Sequence, residues 1–479
     1  MNIKLVLRTM GLLLLCEAAA MLPSLAISYI YKGNDFLAFI FSILIVGAVG
    51  GVLATTKPET LKVGKREGFL IATLGWLLLA VFGTLPFIIS GELPHPADAF
   101  FETMSGFTTT GASVIDDIES FSKGLIFWRS LTHWLGGMGI IVLTLALIPS
   151  LNIAGLQMFK AEVTGPTKSK VLPRIAQTSR QLYKLYLGFS IVLFILLNAA
   201  GMNWFDSLNH TFSTVATGGF SSKVASIGAY NDPVIEFIIV AFMIMCAINF
   251  SLYFSMIKGD RWSLFKDTET RVFLSIIFIS VLAISLNLIS IAGFEPYKAL
   301  RQSLFQVASI ITSTGYATVD FDNWPDFSRY LLVVLMFIGA CAGSTAGGIK
   351  VIRIIILFKT AVRQLVKLIH PQAVIPVRIS GRVMPKEVVD TVQNFFMIHM
   401  FLFASVTGFL TMLGLDIISA FSASIATLNN IGPGLALVGP ATTYSTLPAV
   451  AKVVLSFCML IGRLEIYTVL VVLTTRFWK

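Results

Sequence analysis

Apolar runs dominate the chain and come in two sizes. Runs of about twenty residues are long enough to cross a hydrocarbon core of about 30 Å at about 1.5 Å of rise per residue, and segments of about a dozen are not. The first two long runs fall at 10–30 and 36–55 and lead into a basic connector with Lys57, Lys62, Lys65 and Arg66. From there one order of segments recurs four times: an outer run, a short segment, a polar step ending in glycine, and an inner run. The outer runs are 68–90, 182–200, 272–291 and 392–413, and the short segments 96–108, 205–214, 297–311 and 417–428. The inner runs are 125–149, 233–257, 330–358 and 447–475. The pattern predicts an all-α polytopic membrane protein with ten spanning helices and four re-entrant half-helices. Two amino-terminal helices occupy 1–67, and four pseudo-symmetric repeats around one axis occupy 68–180, 181–270, 271–390 and 391–479.

The four polar steps are the centre of each repeat. They read Thr109-Thr110-Gly111, Ala216-Thr217-Gly218, Ser313-Thr314-Gly315 and Asn430-Ile431-Gly432, with successive glycines roughly a hundred residues apart. Self-similarity at a fixed period marks a repeat architecture. Glycine reaches φ > 0 without steric penalty, so such a loop can aim successive carbonyl oxygens to one side. Four of them around an axis would form rings of carbonyls able to replace the hydration shell of a monovalent cation.

Composition agrees with the membrane reading. The chain of 479 residues is 56% hydrophobic and only 13% charged, where a soluble domain is usually about 25% charged. Cys16, Cys246, Cys341 and Cys458 are far apart and mostly inside apolar runs, with no metal or disulfide spacing. The amino terminus, with Lys4 and Arg8 before a long apolar run, is a membrane helix rather than a signal peptide, because the run is too long and Leu15 precedes Cys16.

The formal net charge of +10 acquires meaning once it is mapped onto connectors. One side carries Lys160, Lys168, Lys170, Arg174, Arg180 and Lys184; Lys258, Arg261, Lys266 and Arg271; and Lys350, Arg353, Lys359, Arg363, Lys367, Arg378, Arg382 and Lys386. By the positive-inside rule that side is cytoplasmic, as are both termini. The opposite loops hold Asp98, Glu102, Asp116, Asp117, Glu119, Asp206, Asp232, Glu295, Asp320, Asp322, Asp326 and Asp416. An acidic vestibule there would concentrate cations, unless these are ordinary solvated loop acids.

Two inner runs contain residues unusual for a membrane helix. The third holds Gly339, Gly343, Ser344, Thr345, Gly347 and Gly348, either a small-residue packing face or a helix centre able to open into a loop. The fourth holds Arg463 and Glu465, and charges at membrane depth usually face a cavity or a partner.

Four unlike repeats of helix, half-helix, Thr-Gly loop and helix in one chain resemble the Trk/Ktr/HKT superfamily of potassium transporters. The motifs Ala216-Thr217-Gly218-Gly219-Phe220-Ser221 and Asn430-Ile431-Gly432-Pro433-Gly434 carry the resemblance. The length and the two extra helices make the chain most similar to the bacterial Trk potassium-uptake proteins of the inner membrane. The resemblance implies a selectivity filter at Gly111, Gly218, Gly315 and Gly432, with the residues just before each glycine supplying carbonyls. Glycine rather than serine at position 111 favours potassium as the transported ion, with some leak of rubidium or sodium through unequal loops. It further implies a mobile gating loop at 339–348, Arg463 beneath the filter, a homodimer in the lipid bilayer, and a cytosolic nucleotide-binding regulatory ring of the TrkA type. No cofactor and no nucleic acid are implied.

An intramembrane enzyme is the weakest rival, since His95, His133, His210, His370 and His399 are scattered and no His-Glu-x-x-His or Gly-x-Ser-x-Gly motif occurs. A secondary transporter coupling potassium to protons or sodium is the stronger one, because such carriers also bind at broken helices near the midplane.

Overall fold

The computed structural model describes residues 1–58, 60, 64–139 and 175–479. Lys62, the connector residues Lys160, Lys168, Lys170 and Arg174, and the second half of the first inner run, 140–149, lie outside these residues.

The described chain is almost entirely helical. The first helix, Ile3–Tyr31, begins earlier than its apolar run because the Asn2 side chain accepts from the Leu5 amide and caps it. Phe36–Ala54 returns antiparallel to it. The buried Asp35 between them accepts from Ser28 and, at 3.0 Å, from the Leu125 amide. That carboxylate therefore pins the amino-terminal hairpin to the start of the first inner helix.

Outer helices span Lys65–Gly83 continued by Leu85–Ser90, then Ile175–Ala199, Thr268–Ala292 and Lys386–Met412. Short helices span Pro96–Phe107, Trp204–Val215, Pro296–Ile311 and Ile417–Leu428, within one or two residues of the sequence expectation. Proline at the first turn of two of them and capping by Asn203 and Asp416 fix where they start. At 12 to 16 residues none can cross the core of about 30 Å.

The second, third and fourth inner helices differ from expectation in being interrupted, and of the first only the part up to residue 139 is described. The first runs Lys123–Gly137 and the second breaks between Pro233–Cys246 and Phe250–Ile257 with a bend of 90°. The third is Asp326–Ile338, then irregular backbone to Lys350, then Val351–Ile369. The fourth bends by 117° between Ala449–Leu464 and Ile466–Leu473, at a Glu465 with φ of 65°. Among the described residues six helices are long and apolar enough to cross a membrane, or eight counting the bent pairs; of the other two expected spans, the third inner run is interrupted at 339–350 and the first extends outside the described residues. The breaks leave helix-end carbonyls without intrahelical donors, which in a membrane is tolerable only where other protein groups or a cavity meet them.

Buried ion pairs tie the units to one another. Glu102 of the first short helix pairs with Arg129 of the first inner helix, their side chains 0% and 6% exposed. Glu102 also accepts from the Val114 amide at 2.9 Å, and Arg129 donates to the Ser221 carbonyl at 3.0 Å. Asp98 meets Lys452 at 2.7 Å and Glu236 meets Arg301 at 2.7 Å.

Removing one partner of such a pair strands the other. Glu102→Ala is expected to cost on the order of 3–5 kcal/mol, and replacing both residues by apolar ones of similar volume much less. The thermal midpoint of the detergent-solubilised protein measures this; a double variant as unstable as the single would contradict it.

Candidate functional site

Each short helix ends in the same turn. The amides of Thr109, Thr217, Ser313 and Asn430 reach back three residues, to Gly106, Thr214, Ile310 and Thr427. The next amides, of Thr110, Gly218, Thr314 and Ile431, reach back five, to Ser105, Ser213, Ser309 and Ala426, at 2.8–2.9 Å. The pivot residues Thr109, Thr217, Ser313 and Asn430 all hold left-handed φ of 52–54°. This is a Schellman closure made without glycine at its left-handed position, and left-handed backbone costs such residues on the order of 1 kcal/mol each.

Two residues after each pivot the backbone is left-handed again, now at glycine: Gly111, Gly219, Gly315 and Gly432, with φ of 78°, 81°, 81° and 99°. The equivalent residues are therefore Thr109-Thr110-Gly111, Thr217-Gly218-Gly219, Ser313-Thr314-Gly315 and Asn430-Ile431-Gly432. In the second loop this register is one residue later than the Ala216-Thr217-Gly218 alignment expected from sequence. A double glycine leaves the register open until the backbone shows which one is left-handed.

These glycines close a ring. A Cβ on Gly111 would strike the Gly218 carbonyl oxygen, one on Gly219 that of Thr314, one on Gly315 that of Ile431, and one on Gly432 that of Thr110 at 2.7 Å. Each loop thus presses on the next, and the fourth presses on the first. The residues 109–110, 217–218, 313–314 and 430–431 are buried, yet among the described residues their carbonyl oxygens accept no hydrogen bond. Buried carbonyls normally have partners, so eight in one closed ring form a site whose donor set suits a bare cation of low charge.

Irregular backbone at 339–350 lies against this ring, with Gly339, Gly343, Gly348 and Lys350 at positive φ. Thr217 and Thr345 hydroxyls are 3.3 Å apart, and the Gly347 amide donates to Ser313 Oγ at 2.7 Å. A Cβ on Gly347 would come within 2.7 Å of the Asn429 carbonyl. Ser344 only folds back on Cys341. The segment is held from outside as well. Glu269 accepts from the Ala342 and Ile352 amides at 2.8 and 3.0 Å, and the broken second inner helix pairs through Ala247 with Cys341 and through Phe250 with Gly343.

Arg463 joins this segment to the first inner helix. It donates to the Thr345 carbonyl at 2.7 Å and to the end carbonyls of Gly136 and Gly137 at 2.6 and 2.8 Å. Glu465, two residues on, pairs with Arg353 instead. The opposite face of the ring is less acidic than its loops suggest. Asp98, Glu102, Glu119 and Asp322 pair with Lys452, Arg129, Lys223 and Arg329, and Asp206 and Asp416 accept bonds at helix starts. The hydrogen bond from Lys223 holds the exposed Glu119 carboxyl below its ordinary range.

Sequence reasoning missed two residues at the ring. Tyr444 donates to the Gly432 carbonyl at 2.8 Å, and the His133 ring lies behind Gly218. Neither has a local motif to announce it. Asn430, expected at the fourth loop, also ties Thr110 Oγ1 to the Met459 carbonyl at 2.9 Å each.

Comparison with known proteins agrees with this geometry. Residues 32–478 match the family model described as TrkH, cation transport protein. The chain is 40% identical over its full length, and over the relative's full length, to the Trk system potassium uptake protein TrkH of Halomonas elongata. It is 38% identical, again with complete coverage of both chains, to the TrkH of Escherichia coli K12. The crystal structure of the potassium transporter TrkH from Vibrio parahaemolyticus superposes with a TM-score of 0.91 at 38% identity, covering 100% of each chain. A carbonyl-lined ring of four loops, full-length relatives and a matching solved fold lead to one conclusion: the chain belongs to the TrkH family of cation transport proteins.

Proposed function

We propose that this chain takes up potassium across the bacterial inner membrane through a pore whose filter is the closed ring of loop carbonyls. The observation that carries the reading is the set of eight buried carbonyl oxygens without hydrogen-bond donors. A dehydrated monovalent cation satisfies such oxygens, and potassium exchanges its water for them at low cost. The relatives' names, potassium uptake proteins and not enzymes, support the same substrate. The filter residues are Thr109, Thr110 and Gly111; Thr217, Gly218 and Gly219; Ser313, Thr314 and Gly315; and Asn430, Ile431 and Gly432.

The segment with Gly339, Gly343, Thr345, Gly347 and Gly348 is the gate in this reading, closed by its contacts with Thr217 and Ser313 and by Arg463. Arg463 places fixed positive charge below the ring and so also repels a passing cation. The chain works as a homodimer with both termini cytoplasmic, and a nucleotide-binding ring of the TrkA type acts on the basic segment 350–367. Broken inner helices are also the way carriers are built, so symport with protons or sodium is the second reading. Discrete single-channel steps favour the pore, and a fixed ion stoichiometry in liposomes favours the carrier.

Gly219→Ser and Gly315→Ser place a Cβ against the neighbouring loop's carbonyl and force φ > 0 on a side chain, each change worth on the order of 1 kcal/mol or more. Potassium preference over sodium should fall by about tenfold in bi-ionic permeability; unchanged ratios in both variants would sink the filter assignment.

Arg463→Ala removes the donor to three carbonyls and the local positive charge. Potassium flux per assembled protein should rise several-fold. Deleting 343–347 should make flux high and independent of the regulatory ring, whereas flux that stays regulated would refute the gate.

A further inference from the structure

Gly218 is the odd member of its ring position. At the equivalent places Thr110 and Thr314 fill the space behind their own loops, their hydroxyls 2.8 Å from those of Thr108 and Thr312. Ile431 fills it with an apolar side chain that is 1% exposed. Gly218 has no side chain, and Ala216, at the place of Thr108, has no hydroxyl. The space is occupied from another element, by the imidazole of His133 on the first inner helix. A Cβ on Gly218 would lie 2.6 Å from His133 Cγ and 2.7 Å from Cε1, too close for both to fit.

The ring is itself held. It is fully buried and stacks on Phe220, just past the loop, with centroids 3.9 Å apart and planes 13° from parallel. The Arg129 guanidinium carbon lies 3.5 Å from the centre of the same Phe220 ring, and Arg129 is fixed by Glu102 and by the Ser221 carbonyl. One turn beyond His133, Gly137 lets the helix approach Ala216, where a Cβ would lie 2.8 Å from the Ala216 Cα. One helix therefore grips the second loop at both ends.

We propose that His133 is the positioning residue that sets the second loop's carbonyls and thereby the discrimination between potassium and sodium. It does from the first inner helix what the side chains of Thr110, Thr314 and Ile431 do from within their own loops. The inference rests on the reading of the four loops as a filter. The second loop holds positive φ at Thr217 and Gly219, a sparsely populated backbone region, so its carbonyls stay aimed only against close-packed atoms. Removing the ring leaves a void behind one loop of the four.

A double-mutant cycle on the purified full-length protein in liposomes tests this, with the sodium-to-potassium permeability ratio as readout. His133→Ala and Gly218→Thr should each raise the ratio by about tenfold, and the double variant should return to within about threefold of the parent, because neighbouring residues that compensate are non-additive. Single effects that simply multiply in the double would overturn the proposal. Where Gly218→Thr alone does not assemble into a monodisperse protein, addition of His133→Ala should rescue assembly with a near-parental ratio, and failure to rescue would equally overturn it. Gly219→Ser and Gly315→Ser in the same assay separate the two readings. Unchanged ratios in both defeat the filter itself, whereas a shifted ratio beside an additive cycle defeats only the role of His133.

Discussion

A buried carbonyl oxygen without a donor is costly, on the order of 1–3 kcal/mol for each group left unsatisfied, and this molecule holds eight of them in one ring. Much of the surrounding structure exists to keep them so. The short helices stop before they can cross, the turn after each satisfies its own amides through the i−3 and i−5 carbonyls, and the next carbonyls are left without a donor among the described residues. The glycines at 111, 219, 315 and 432 are required because each abuts a neighbouring loop's oxygen in addition to its positive φ. Ring closure and carbonyl aim are thus one constraint.

The inner helices obey the same constraint from below. A straight span beneath each loop would crowd the ring, and the second, third and fourth inner helices are interrupted at 247–249, at 339–350 and at Glu465. Gly136 and Gly462 bring the first and fourth inner helices against the last carbonyls of their short helices, at Phe107 and Leu428. The freed helix-end carbonyls at Gly136 and Gly137 are then met by Arg463, which also reaches Thr345. One guanidinium thereby couples the first, third and fourth units, a use suited to its several fixed donors. Around the other face, buried pairs such as Glu102 with Arg129 consume acidic charge that would otherwise be free to attract cations.

The segment 339–350 is irregular yet bonded to several elements. Its contacts come from three directions: Thr217 and Ser313 above, Ala247 and Phe250 beside, and Glu269 outside. Such a segment holds one conformation only while these partners stay in place. One of them, Glu269, opens the third outer helix next to Thr268, which bonds Ser380 of the 378–383 hairpin. On the proposed reading this is a direct line from the cytoplasmic face to the gate.

The sequence by itself determined the class and the short helices. Those features follow from the length of apolar runs and from local start signals such as Pro96, Asn203 and Asp416, which act within one turn. It also carried the irregular centre of the third inner helix, through Gly339, Gly343, Gly347 and Gly348. Tertiary structure decided what depends on neighbours distant along the chain. The second loop's register was open because Gly218 and Gly219 are chemically identical, and only the approach of His133 and the Thr314 carbonyl assigns them different places. The bends at 247–249 and at Glu465 interrupt strongly apolar runs that read as continuous spans. Hydropathy reports how apolar a segment is, whereas a bend is set by which carbonyl or side chain another helix presses against it.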